Sequence, residues 1–238
     1  MRYDILSLFP EYFEGPFDVS MIKRGREKGL LEINLVNMRD FSPGRYQQID
    51  DRPYGGGPGM VLMAEPVTKA VRSVKKENSH VVYLTPQGKP LTAKRCGELA
   101  KKPHLIVVCG HYEGIDERAI ESEVDEEISI GDYVLTSGAP AAIVLVDSVS
   151  RFIPGVIGNK EAAQQDSFEN GMFDCPVYTR PPVFEGKEVP EVLKNGNHAE
   201  IKAWRETQAQ EKTERVRPDL ETRISNSGEM NHEPRCAT

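Results

Sequence analysis

Three apolar segments each end in a turn rich in glycine, proline and small polar residues, and this repeated pattern most constrains the fold. They are HVVYLTPQGKP, PHLIVVCGHYEG and DEEISIGDYVLTSG, and the helix-like segments TAKRCGELAKK and DERAIESE separate them. Their β-branched residues do not alternate with polar ones, which is typical of strands buried on both faces. Strands that alternate with helices in this way predict a parallel sheet covered by helices on each side.

Further elements are predicted on either side of these units. YDILSLF and LLEINLVN are predicted as strands, SMIKRGREKG, EPVTKAVRSVKKEN and PAAIVLVDSVSRF as helices, and SPGRYQQIDDRPYGGGPGM as a long loop. Beyond Phe152 glycine and proline are frequent and no period is sustained until a helix that Asn197 is expected to cap. We therefore expect an α/β domain over residues 1–160, a flexible linker over 161–172, a small mainly helical domain over 173–224 and a disordered tail over 225–238.

Composition leaves the partner open. The net charge of −7 argues against a nucleic acid, but basic residues concentrate in segment 69–102 and acidic ones in segment 113–132. A local basic face can meet a polyanion, although solvated helix faces explain the same pattern, so charge does not decide. The four cysteines have no CxxC spacing and no histidine cluster completes a zinc site. No segment approaches about eighteen consecutive apolar residues and no signal peptide is evident, which predicts a cytoplasmic protein without a membrane span or a structural metal.

The three turns, residues 85–88, 110–114 and 130–138, are candidate ligand sites because open parallel sheets bind ligands beyond the carboxyl ends of their strands. None carries GxGxxG at the start of a helix, and there is no Walker A lysine, so a dinucleotide is not expected. Backbone-rich turns suit an adenosine, and Glu113 suits a positive group on the same ligand. S-adenosylmethionine meets both conditions. Glu113 could instead complement the dipole of the following helix, and for Asp116 a helix cap is the favoured interpretation.

Eight motifs occur in order: ILSLFPEYF, DDRPYGGGPGM, LTPQG, GHYEGIDER, EISIGDYVLTSG, DSVSRFIPGV, DSF with YTRP, and GNHAEI followed by AWR. Over residues 1–218 they resemble the bacterial tRNA (guanine-N1)-methyltransferases of the TrmD type, which are SPOUT-class enzymes. The resemblance implies a deep trefoil knot, which pattern alone would not predict. It also implies a homodimer whose active site lies between the subunits. The implied reaction moves a methyl group from S-adenosylmethionine to N1 of the guanine 3′-adjacent to the tRNA anticodon.

The resemblance also implies roles for individual residues. The implied cofactor-binding residues are Leu84, Thr85, Pro86, Gln87, Gly110, Tyr112, Glu113, Ile130, Gly131, Asp132, Tyr133, Val134, Leu135, Gly138 and Pro140. Asp166 matches the catalytic base that takes the N1 proton, and Arg151 matches the cation that stabilises charge at O6. Asn197 and His198, in the matching GNH turn, are implied RNA-binding residues. Arg205 is a further candidate, on a helix whose acidic residues leave a purely solvated helix as the alternative.

The chain departs from the family pattern at two positions, and other functions stay open. Many relatives have glycine and glutamate where this chain has Ser137 and Ala139. Magnesium helps the family's methyl transfer, but no carboxylate cluster in the sequence identifies a site. One alternative is another SPOUT enzyme that acts on a ribosomal RNA base or a ribose 2′-hydroxyl, without a role for Asp166. The others are a catalytically silent RNA-binding module and a Rossmann-type enzyme acting on a small molecule.

Overall fold

The structure, a computed structural model, describes residues 1–158, 166–168 and 171–220. The chain divides into two compact units, Met1–Lys160 and Glu161–Thr238. The expected linker over 161–172 is only partly among the described residues, and the expected tail over 225–238 lies outside them. The boundaries of these segments therefore stay predictions.

The first unit is a parallel sheet with helices on both sides. Its strands are β1 (Arg2–Ser7), β2 (Glu32–Asn37), β3 (Asp50–Asp51), β4 (Val61–Leu62), β5 (Ser79–Pro90), β6 (His104–Cys109) and β7 (Glu126–Ser129). Its helices are α1 (Ser20–Glu27), α2 (Ala64–Val74), α3 (Ala93–Leu99), α4 (Glu117–Glu123) and α5 (Ala139–Ser150). Five strands form one sheet in the order β2-β1-β6-β5-β7, and every neighbouring pair is parallel. The predicted α/β class with a parallel central sheet is confirmed.

The strands of this sheet are buried on both faces. All six residues of β6 are buried, and its side chains alternate between two hydrophobic cores. Leu105 and Val107 belong to the core that α1, α3 and α5 cover, whereas Ile106 and Val108 belong to the core that α2 and α4 cover. Because both faces need apolar side chains, the sequence of such a strand has no polar alternation.

The predicted long loop contains a short hairpin, which corrects the sequence-based expectation. Asp50 and Asp51 of β3 pair antiparallel with Leu62 and Val61 of β4. Strands of two residues show no hydrophobic period, so the pattern could not predict them. The hairpin connects the carboxyl end of β2 to α2, which begins at Ala64.

The basic and acidic segments of the sequence pair with each other in the fold. Arg72 of α2 binds the buried carboxylate of Glu123 in α4 at 2.7 Å. Arg95 of α3 forms an ion pair with Glu126 of β7, and its hydrogen bonds to Glu126, then to Glu98, raise the pKa of Arg95. Part of the basic segment therefore neutralises neighbouring elements of the same domain and does not form a surface for a polyanion.

A buried polar network joins four strands at the amino edge of the sheet. Asp4 of β1 is fully buried and accepts hydrogen bonds from Arg2 and Asn34. The His104 ring bridges Asp4 Oδ2, at 2.6 Å from Nε2, and Ser79 Oγ, at 2.7 Å from Nδ1. Burial alone would raise the pKa of Asp4, but these hydrogen bonds outweigh it and hold the pKa below its ordinary value. The network fixes the strands at the edge opposite the three turns.

The second unit contains a short hairpin and one long helix among its described residues. The hairpin pairs β8 (Val183–Phe184) with β9 (Lys187–Glu188), and helix α6 spans His198–Val216. The side chain of Asn197 accepts from the backbone amides of Ala199 and Glu200, which confirms the predicted cap. Near the other end of α6, buried Thr213 accepts from the Phe173 amide at 2.9 Å. In the described part of the chain, no helix has the length and apolar character needed to cross a membrane.

Candidate functional site

The three turns at the carboxyl edge of the sheet surround one pocket of about 280 Å³. The first wall comes from β5. Leu84 and Lys89 both pair with Ile128 of β7, so the residues between them, 85–88, form a turn that bulges out of the sheet. The turns after β6 and β7 form the other walls. This is the edge at which open parallel sheets bind their ligands.

Thirteen of the fifteen cofactor residues implied by the sequence line this pocket. Asp132 and Pro140 do not line it. The pocket has eight further lining residues: His111, Gly114, Thr136 and Ser137 belong to the turns predicted as ligand sites, whereas Tyr83, Ile128, Ser129 and Ala141 lie outside those turns. Position alone could have included the first four. Tyr83 and Ile128 lie inside strands, where an apolar pattern predicts only a core side chain.

The turn after β7 passes directly against the turn after β6. The Gly138 amide donates to the Gly110 carbonyl at 2.8 Å, and Ser137 forms an antiparallel bridge with His111. A Cβ at position 138 would lie 2.9 Å from the Cα of Cys109 and from the amide nitrogen of Gly110. Carbon atoms in contact prefer about 3.5–4.0 Å. The φ of Gly138 is an ordinary −73°, which any residue could adopt. Glycine is therefore required here by the close approach of the two backbones and not by the conformation of the chain.

The long loop after β2 is anchored to the turn after β6. The Glu113 amide donates to the Met60 carbonyl at 3.0 Å, and the Leu62 amide donates to the Gly114 carbonyl at 3.0 Å. Gly59 has a φ of +82° and faces Glu113 so closely that a Cβ would overlap the carboxylate. The glycine-rich YGGGPG segment thus packs against the Glu113 turn and helps to fix it.

A row of aromatic rings lies behind the same turn. The rings of His111 and Tyr112 meet edge to face at 4.6 Å, and the Phe9 ring lies 5.4 Å from His111. The guanidinium of Arg39 lies 5.6 Å from the centre of the Phe9 ring. Tyr112 adopts a φ of +57°, a left-handed conformation that is uncommon for a non-glycine residue. Burial of His111, and then the charge of Arg39, lower the pKa of the imidazole.

Cys109 and Tyr83, both near Gly110, are unreactive groups, and of these two Tyr83 is the one that lines the pocket. Cys109 ends β6 beneath the turn, and burial raises the pKa of its thiol. Burial also raises the pKa of Tyr83, whose hydroxyl would lie 3.0 Å from a Cβ at Gly110. Both groups are therefore protonated at neutral pH and are poor nucleophiles. The arrangement suits the binding of a ligand that is already reactive.

Helix α5 leads away from the pocket to Arg151. Its first residues follow Gly138 at the pocket, and Arg151 caps its other end. Twelve residues of α-helix span about 18 Å. Within one chain, Arg151 therefore lies a helix length from the pocket residues at the start of α5, and the structure does not bring it to them. Among residues 1–158, 166–168 and 171–220, no group of three or more His, Cys, Asp or Glu side chains could hold a metal ion.

The remaining candidate residues belong to the second unit. Asp166 and Arg205 line a cavity of about 920 Å³ within that unit. His198 is the exposed first residue of α6, and Asn197 precedes it as the helix cap. The side-chain Nδ2 of Asn197 also donates to Glu200 Oε1 at 2.8 Å, so both ends of this side chain have partners within the turn.

Comparison with known proteins gives one consistent result. A family model described as tRNA (Guanine-1)-methyltransferase TrmD matches residues 1–223. A protein of Protochlamydia amoebophila named tRNA (guanine-N(1)-)-methyltransferase is 61% identical over 220 residues, which cover 92% of this chain and 99% of that protein. Relatives of the same name from Chlamydia pneumoniae and Chlamydia abortus are 62% and 59% identical over 92% of this chain. The matched region covers 61% and 62% of those two proteins, respectively.

The contact at Gly138 makes a prediction about stability. In Gly138→Ala the new methyl group meets the Cys109–Gly110 backbone, so we expect the free energy of unfolding to fall by about 1–3 kcal/mol, as overpacking usually costs. Gly158→Ala is the matched control, because a Cβ there has no neighbour within 4 Å. Denaturant unfolding of both variants is the measurement. Equal changes in the unfolding free energy of the two variants would contradict this prediction, because they would show that the two turns can move apart without loss of stability.

Proposed function

Because the chain belongs to the tRNA (guanine-1)-methyltransferase TrmD family, we propose that it transfers the methyl group of S-adenosylmethionine to N1 of the guanine 3′-adjacent to the tRNA anticodon. As a member of this family it is a tRNA (guanine-N1)-methyltransferase. The observation that carries the finer proposal is the convergence of the three turns on one pocket, lined by thirteen residues that the resemblance assigns to the cofactor. The cytoplasm, where tRNA is found, is the proposed location.

The residues of the pocket fit this methyl donor. Gly110 and Gly138 line the pocket without side chains, so we propose that an adenosine contacts the main chain of these turns. Leu84 and Leu135 offer apolar contacts, and the carboxylate of Glu113 suits the positive end of the molecule. The volume of about 280 Å³ is close to the lower end of ligand pockets, roughly 300 Å³. When bound, the cofactor supplies a methyl group on a sulfonium, so the protein needs no nucleophile of its own.

The two departures from the family pattern are compatible with this pocket. Ser137 is not among the residues with positive φ, so replacing glycine there imposes no left-handed strain. Ala139 is buried at the start of α5, and the first turn of this helix holds no acidic residue. We propose that Glu113 is the carboxylate that meets the positive end of the cofactor in this chain.

We propose that the three turns form the trefoil knot of the SPOUT class. The support is the passage of the turn after β7 against the turn after β6. Gly138 and Ser137 contact Gly110 and His111 through main-chain hydrogen bonding and a bridge, without intervening side chains. A chain segment that is threaded past another in this way needs a position without a side chain at the crossing.

Methylation of guanine N1 requires removal of a proton. We propose that Asp166 accepts this proton and that Arg151 stabilises the charge that builds at O6. Arg151 lies about 18 Å along α5 from the pocket of its own chain. We therefore propose a homodimer in which Asp166 and Arg151 of one protomer act on the guanine beside the cofactor of the other.

For the residues after 160 we propose a tRNA-binding domain over 173–224. His198 and Arg205 are exposed on α6 and are the proposed contacts to RNA. The side chain of Asn197 caps the helix, so its proposed role is to hold His198 at the start of α6. Target bases in an anticodon loop are unpaired and can be turned out of the stack at low cost, which suits an enzyme that must enclose N1.

The proposed substrate can be tested with two tRNA transcripts that differ only in the base 3′-adjacent to the anticodon. We expect methyl transfer from S-adenosylmethionine to the transcript with guanine and none above background to the transcript with adenine. Nucleoside analysis of the product should give 1-methylguanosine. A ribose 2′-O-methyl product, or equal transfer to both transcripts, would favour another SPOUT activity instead.

The role of Asp166 can be tested by single-turnover kinetics at saturating tRNA and cofactor. Asp166→Asn keeps the shape of the side chain but removes the proton acceptor, so we expect the rate to fall by roughly two to four orders of magnitude. Asp174→Asn is the matched control, because Asp174 lines the same cavity of the second unit. Its rate should stay within about twofold of wild type. A wild-type rate for Asp166→Asn would rule it out as the base.

The composite site can be tested by mixing two inactive proteins. Gly131→Val should lose cofactor binding, because a Cβ there would overlap the Tyr133 ring and the φ of +155° disfavours a side chain. Asp166→Ala keeps the pocket but lacks the base. After subunit exchange, the heterodimer of these two variants should regain one working site.

A second mixture provides the control for that experiment. Wild type mixed with the double variant Asp166→Ala, Gly131→Val should lose activity in the heterodimer, because the intact pocket then faces a protomer without Asp166. Retention of half the wild-type activity in that heterodimer would show that each protomer is self-sufficient.

A further inference from the structure

Three side chains that follow three different strands meet behind the turn after β6. Phe9 follows β1, Arg39 follows β2 and His111 follows β6. The Phe9 ring lies 5.4 Å from the His111 ring, and the Arg39 guanidinium lies 5.6 Å from the centre of the Phe9 ring. His111 lines the pocket, whereas Phe9 and Arg39 do not. A permanent positive charge is thus held behind a titratable ring that faces the ligand space.

The surroundings of His111 disfavour its protonation. Partial burial is the larger cause and the charge of Arg39 adds to it, so the pKa of His111 is below its ordinary value. The aromatic face of Phe9 attracts the guanidinium and keeps it in this position. The imidazole is therefore uncharged at neutral pH.

We propose that His111 is a specificity-determining residue of the pocket: an uncharged imidazole in this wall admits a sulfonium cation, and the Arg39 guanidinium, held against the Phe9 ring, disfavours a positive charge there. The inference rests on the proposed function, which supplies the ligand. S-adenosylmethionine carries a positive sulfur, whereas the product, S-adenosylhomocysteine, has a neutral thioether on the same skeleton. A charged ring in the wall would repel the donor and leave the product unaffected.

Other groups around His111 have to be separated from its effect. Arg39 follows β2, Tyr112 and Glu113 belong to the same turn, and Tyr83 of β5 lines the same pocket. Ser137, from the turn after β7, meets His111 through its backbone. Burial raises the pKa of Tyr83, so it stays neutral throughout. Glu113 is the carboxylate of the same turn, and it is present in every variant compared below.

The experiment compares the two ligands by calorimetry between about pH 5 and about pH 8. The measured quantity is the ratio of the dissociation constant of S-adenosylmethionine to that of S-adenosylhomocysteine. Both molecules carry the same adenosine and the same amino-acid end, so titrations common to both largely cancel. For wild type we expect the ratio to rise about tenfold as the pH falls below the ordinary histidine value of about 6.5.

Two variants test whether the rise in this ratio comes from His111 and Arg39. Arg39→Met removes the charge that lowers the pKa of His111, so the rise should begin at a higher pH. Arg45→Met, at an exposed arginine of the adjacent loop, is the matched control and should follow the wild-type profile. His111→Gln should lose this rise, because the variant removes only the imidazole and leaves the other groups around the pocket in place.

Each outcome has one interpretation when circular dichroism shows that the proteins stay folded over the pH range used. A flat ratio for wild type, or an unchanged rise in His111→Gln, would overturn the inference and leave the proposed function intact. An unchanged profile in Arg39→Met would overturn the part assigned to Arg39. If wild type binds neither ligand at any pH, the proposed function itself is wrong, and the inference with it.

Discussion

The site depends on one close approach between two stretches of backbone. Gly138 lies against the main chain of Cys109 and Gly110, where a methyl group would have no room. This contact places the turn after β7 beside the turn after β6 and so closes the pocket between them. It also fixes the start of α5, and therefore the position of Arg151 at the other end of that helix. One missing side chain thus sets both the wall of the pocket and the start of the helix that ends at the proposed charge-stabilising residue.

Much of the fold follows from local pattern. The unalternated strands predict a sheet that is buried on both faces, and the caps Asp116 and Asn197 are seen at the positions predicted for them. These features could be predicted because a helix cap or a strand face depends on a few neighbouring residues. The hairpin of β3 and β4 could not, because two residues per strand carry no period.

The site could be predicted only in part, for the same physical reason. Glycines in three turns mark places where backbone is exposed, but they do not show which backbone each one meets. The contact of Gly138 with Cys109, and the meeting of Phe9 and Arg39 with His111, join residues that are far apart in the sequence. Charge was equally ambiguous, because the sequence does not show that Arg72 pairs with Glu123. Motif resemblance supplied what local physics could not.

The glycine-lined part of the pocket has a consequence for the evolution of inhibitor resistance. A compound that hydrogen-bonds to peptide groups near Gly110 and Gly138 contacts atoms that every amino acid shares. Substitution elsewhere in the pocket leaves those atoms unchanged, and substitution at Gly138 adds a side chain where the neighbouring backbone leaves no space. Point mutations therefore have few routes by which to exclude such a compound while the proposed cofactor, which would use the same surface, still binds.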